Sequence, residues 1–169
     1  PINEIIEMFP SLLKSKVDFH LILAGASGEL VDAAQECKNS YPDKITIMND
    51  FSFDLQPSLY AVSDLLLAPS RDKHACMGVS IKEAMASGVP VISTDVGGIS
   101  EHLVEESGRG ILIESEDESG LREAILSLGD GAKFNSDEIR KYAIEHFSVE
   151  AISEAFDQVY REALKSGGE

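Results

Sequence analysis

The 169 residues are 43% hydrophobic and carry 14 Lys plus Arg against 30 Asp plus Glu, for a formal net charge of −16. A chain of that size buries roughly 70% of the surface that its unfolded form exposes, enough for one self-sufficient core. The acidic balance repels phosphate backbones and anionic bilayers, which excludes nucleic-acid binding and a membrane-surface role, and it leaves an anionic small ligand only where backbone amides make a local positive pocket.

Ile5, Ile6, Phe9, Leu12 and Leu13 recur at helical spacing and predict a helix over 3–14, kinked or restarted by Pro10. The run 19–24 reads as a buried strand entering the turn Gly25-Ala26-Ser27-Gly28, with a helix over 29–38 behind it. A strand over 44–48, a short helix over 55–62 and a strand over 64–68, stopped by Pro69, repeat the alternation. A loop over 70–77 leads to a helix over 79–87 closed by Gly88, then a strand over 89–93 and a turn at Gly97-Gly98. One helical turn over 100–104, a strand over 110–113 and helices over 119–128, 137–146 and 149–164 complete the chain, with a polar tail at 165–169.

Strands alternating with helices predict an α/β fold: a Rossmann-like parallel sheet with helices on both faces, in a single domain over 1–169. Cys37 and Cys76 form neither a CxxC pair nor a Cys/His cluster, so neither a disulfide framework nor a zinc site is suggested. No apolar run approaches the ~20 residues of a membrane helix and no signal-peptide pattern is visible, so a cytoplasmic setting is expected. An opening without Met, already inside helical periodicity, leads us to expect a piece of a longer protein.

Open parallel sheets bind ligands beyond the carboxyl ends of their strands, so function is expected in the turns after Ala24, Met48, Ala68 and Ser93. These hold Gly25, Asn49, the loop Pro69–Gly78 and the turn Thr94–Glu101. The stretch PSRDKHACMGVSIKEAMASGVPVISTDVGGISEHL, starting at Pro69, resembles the donor domain of the group 1 retaining glycosyltransferases, relatives of glycogen synthase. That family's Pro-Ser, its loop Gly, its helix Glu and its Ala-Met-Ala-x-Gly-x-Pro-Val correspond to Pro69-Ser70, Gly78, Glu83 and Ala84 through Val91. Its Thr-Asp-x-Gly-Gly-x-x-Glu turn corresponds to Thr94 through Glu101.

The resemblance implies the C-terminal half of a GT-B fold, lacking here the N-terminal acceptor domain and the first donor-domain strand. It implies a nucleotide diphosphate sugar as substrate, no cofactor and no required metal. The acceptor, a saccharide or small molecule, would arrive through the missing domain. Donor binding is expected from Gly25, Met77, Gly78, Val79, Ser80, Glu83, Gly97 and Gly98, with Asp72, His74, Asn49 and Glu101 as further candidates. The amides of Gly78, Val79 and Ser80 at a helix start suit a pyrophosphate, and the Glu83 carboxylate one turn further in suits both ribose hydroxyls.

Two departures qualify this. The family's first Glu, eight positions before the second, corresponds to Ala75, which opens the alternative of a non-catalytic nucleotide- or sugar-binding domain. The family's Arg and Lys for the leaving diphosphate belong to the segment not present, and Arg71, Lys73 and Lys82 are the nearby cations. Glu101 reads equally as a ligand contact or as an acid serving a helix dipole, and the glycine pair as an ordinary tight turn. A magnesium-binding signalling receiver shares the alternation but needs acidic residues directly after its first strand, where this chain has Gly25 to Gly28.

Overall fold

The computed structural model describes residues 2–25, 28–72, 74, 76–103, 108–129 and 133–166. The expectations that fall on Ala26, Ser27, Lys73, Ala75, Val104 and the end of the polar tail lie outside these residues.

Helix α1 (Ile2–Leu12) buries Ile5, Ile6, Phe9 and Leu12, four of the five residues that the periodicity singles out, and Leu13, just past its end, is partly buried. Pro10 does not restart it: the helix is continuous through Pro10, and Leu13 N–H still reaches the Phe9 carbonyl at 3.0 Å. Near the end of a helix a proline removes one donor without breaking the remaining turn. Strand β1 (Leu21–Ala24) pairs in parallel with β2 (Ile45–Met48), and α2 (Glu29–Ser40) connects them. A 3-10 turn at Phe53–Leu55 runs directly into α3 (Gln56–Ala61), where one helix is expected from sequence.

Strands β3 (Leu66–Ala68), β4 (Val91–Thr94) and β5 (Gly110–Ile113) form a second parallel ladder in the order β3-β4-β5. The hydrogen bonds thus form two parallel ladders where the sequence predicts one sheet. A common core nevertheless joins them: Ile45 of β2 packs in one cluster with Ile92 and Ile113 of the second ladder, under α1 and α5 (Glu118–Ser127).

Both faces of the second ladder are covered, as alternation along β4 requires. Ile92 faces that first cluster, whereas Val91 faces another built from Ile81, Ala84 and Met85 of α4 (Val79–Ala86) with Ile139 and Ala143 of α6 (Ser136–Phe147). Every residue of β4 is buried. Helix α7 (Val149–Ser166) follows α6 directly and leaves Phe156, Val159 and Leu164 exposed.

The ends of α4 follow from its sequence. Gly88 takes φ +79°, its N–H donates to Met85 O at 2.9 Å, and Val89 N–H donates to Ala84 O at 2.9 Å, the paired bonds of a Schellman stop. Asp117 begins α5 by accepting from Gly120 N–H, and Asn135 begins α6 by accepting from Asp137 and Glu138. No such side chain begins α4.

Candidate functional site

Gly78 is the residue that enters α4, with extended backbone at φ −61° and ψ 159°. The first amides of any helix lack intrahelical acceptors, and here no side chain caps them. The residues that follow Gly78 are exposed, Val79 at 69% and Ser80 beside it, while Gly78 itself is half-buried. Met77 behaves differently. Its side chain is buried in the core with Ile81, Val96 and Ile99, so only its backbone can meet a ligand. That packing ties the start of α4 to the loop after β4.

Glu83, half-buried on the same helix, does not stand alone. Gln56 Nε2 donates to Glu83 Oε2 at 2.5 Å and the Tyr60 hydroxyl donates to the same oxygen at 3.1 Å. Burial raises the Tyr60 hydroxyl above the usual tyrosine range; Glu83 acts in the same direction and Gln56 against it. Oε2 thus already accepts twice, and Oε1 has no partner among the described residues.

The turn after β4 carries Gly97 at φ +58° and Gly98, whose missing Cβ would sit 3.9 Å from Glu101 Oε1. Where one helical turn is expected, His102 and Leu103 N–H both donate to Ile99 O, the second closing a turn of helical span, after Ile99 N–H donates to Val96 O. Two hydroxyls fasten the ends of β3 and β4 together. Ser93 Oγ donates to Ala68 O at 2.8 Å, while Thr94 Oγ1 accepts from Ser70 N–H at 2.8 Å and donates to Ser70 O at 2.7 Å.

Gly25 closes β1 with φ +73°, and its N–H donates to Met48 O at 2.8 Å, joining the ends of β1 and β2. Asn49 follows β2 and is exposed. Asp72 and His74 are exposed and occupied locally: Asp72 N–H donates to Ser70 Oγ, and Asp72 Oδ1 accepts from the backbone N–H of His74 at 2.9 Å. Of the nearby cations, Arg71 pairs with Glu4 of α1, and Lys82 lies 5.7 Å from the centre of the Phe147 ring.

Behind the loop after β4, His102 Nδ1 lies 3.1 Å from the Tyr142 hydroxyl, and Arg109 stacks 3.7 Å over the Tyr142 ring. Burial lowers the His102 imidazole below its usual range, with His146, Lys82 and Arg109 adding to that and Glu101 opposing it. A crevice at the other end of β1 and β2 is lined by Lys16, Val17, Asp18, Tyr41 and Lys44, and there Lys44 is already paired with Asp18. Among the described residues no three His, Cys, Asp or Glu side chains converge, and no helix is long and apolar enough to cross a membrane.

Gln56, Tyr60 and the Ser70–Thr94 exchange are the parts that sequence reasoning missed. Helical spacing puts Gln56 and Tyr60 on one side of α3, but the partner lies 23 to 27 residues away in the chain.

Comparison with known proteins places this chain in a family. N-acetyl-alpha-D-glucosaminyl L-malate synthase of Bacillus anthracis is 28% identical over 97% of this chain and 42% of its own length. An uncharacterized glycosyltransferase of Methanocaldococcus jannaschii is 33% identical over 74% of this chain and 33% of its own. The solved sucrose-phosphate synthase of Thermosynechococcus elongatus superposes with a TM-score of 0.72 at 20% identity, covering 98% of this chain and 42% of that one, which shows a shared GT-B-type, Rossmann-like fold. The chain thus spans less than half the length of these proteins. Residues 2–130 match the family described as glycosyl transferases group 1, and the chain belongs to that family.

Proposed function

We propose that this chain is the C-terminal, donor-binding half of a retaining glycosyltransferase, and that it holds a nucleotide diphosphate sugar at the carboxyl edge of its strands. The observation that carries the reading is the exposed, uncapped start of α4 at Gly78, Val79 and Ser80, with Glu83 a turn further along the same helix. Amides and a helix dipole supply positive potential on an otherwise acidic body, without a metal ion. The pyrophosphate sits on these amides, the ribose hydroxyls reach Glu83, and Gly97 and Gly98 let the backbone approach the sugar. Gly25 borders the base.

In the reaction the bond between the anomeric carbon and the phosphate oxygen breaks, an acceptor hydroxyl bonds to that carbon with retention, and the hydroxyl's proton leaves with the departing diphosphate. The amides stabilise the charge that develops on the departing diphosphate. The acceptor, a saccharide or small molecule, comes from the N-terminal domain of the longer protein as the cleft closes. The setting we propose is the cytoplasm.

Calorimetric titration of nucleoside diphosphates, combined with transfer assays on the full-length protein, tests this. Binding together with transfer of a hexose is the expected result. Binding without transfer supports instead a non-catalytic binding domain, the reading that Ala75 favours, and absence of binding removes both.

A further inference from the structure

We infer that Gln56 and Tyr60, on α3, are positioning residues that hold the Glu83 carboxylate in the orientation in which it meets the ribose of the donor. This rests on the reading of Glu83 given above and deepens it. The two side chains are four apart on one helical turn and so share a face. Both donate to a single oxygen, Oε2, at 2.5 and 3.1 Å.

Three features make this more than a chance contact. A glutamate at the fifth position of a helix ordinarily samples several rotamers, and two donors on one oxygen select one of them. Tyr60 is itself packed against the core cluster of α4 and α6, so its hydroxyl is fixed rather than free to follow the carboxylate. Oε1 has no partner among the described residues, which leaves it as the oxygen available to a ligand hydroxyl. The carboxylate is thereby ordered before the donor arrives, and binding does not have to order it. Neither Gln56 nor Tyr60 needs to touch the donor.

The test separates this from the ribose assignment. UDP, GDP and ADP, and their 2′,3′-dideoxy counterparts, are titrated into the full-length wild-type protein, and into its Tyr60→Phe, Gln56→Leu and Glu83→Ala variants. Wild type prefers the ribose form of the diphosphate that binds. Glu83→Ala removes that preference.

Tyr60→Phe and Gln56→Leu each weaken the ribose form by about three- to tenfold, in the range of one ordinary net hydrogen bond, and change the dideoxy form less than about twofold. Equal losses for both forms, or no loss for either, overturn the positioning role while the Glu83 assignment stands. A Glu83→Ala variant that keeps the preference overturns both. Tyr60→Phe removes one oxygen from a half-buried ring and keeps the packing, so it serves if Gln56→Leu proves unstable.

Discussion

Thr94 and Ser70 exchange two hydrogen bonds through a single hydroxyl: Ser70 N–H donates to Thr94 Oγ1 at 2.8 Å, and Thr94 Oγ1 donates back to Ser70 O at 2.7 Å. Thr94 is the last residue of β4, and Ser70 begins the loop that ends at Gly78. One buried hydroxyl therefore holds both sides of the candidate site in register. Thr94→Val keeps the shape but leaves the Ser70 amide without its acceptor. We expect a loss of about 1–3 kcal/mol in urea unfolding, with Thr94→Ser losing less.

Gly88 offers a test of the fold alone. Its φ of +79° is unfavourable for any residue with a side chain, and an added Cβ would lie 2.9 Å from Ser136 O. Gly88→Ala is expected to cost more than about 1 kcal/mol in the same assay. A neutral result would contradict the contact between the end of α4 and the start of α6.

Val79 allows stability and binding to be set against each other. An acid in the first turn of a helix favours the dipole, so Val79→Asp should leave stability unchanged or raise it by about 0.3–1 kcal/mol. The same charge should repel a diphosphate seated on those amides, and we expect at least a tenfold loss of nucleoside diphosphate affinity, a modest part of what Coulomb repulsion at roughly 4 Å allows. Loss of both stability and affinity would point to a folding defect instead.

His102 makes a prediction in pH. Its folded pKa is lowered, first by burial, then by His146, Lys82 and Arg109, with Glu101 opposing. The unfolded state therefore binds the proton more readily. The contribution of His102 is fully present above the unfolded value near 6.5 and is lost as pH falls through the lower folded value. Urea midpoints of wild type should fall between pH 7 and pH 5 more than those of His102→Gln, and identical pH dependence in the two would contradict the assignment.

Much of this was readable from residue order, for physical reasons that differ from place to place. The buried face of α1 follows from apolar spacing, and the stop of α4 at Gly88 from the demand for positive φ. The division of the strands into two ladders was not readable, because periodicity identifies strands without saying which edges pair. Pro10 does not restart α1, because it falls where the helix has less than a turn left. The backbone part of the candidate site, Gly78 to Ser80, was visible as a helix start lacking a cap. Its side-chain part was visible only as Glu83, since the donors that meet Glu83 come from a short helix whose docking no local pattern records.

The most direct measurement is a crystal structure of the protein with a nucleoside diphosphate bound. The phosphates should lie within hydrogen-bond reach of the amides from Gly78 to Ser80, with a ribose hydroxyl on Glu83 Oε1. Phosphates found instead in the crevice beside Lys16 and Lys44, with the start of α4 empty, would contradict the account.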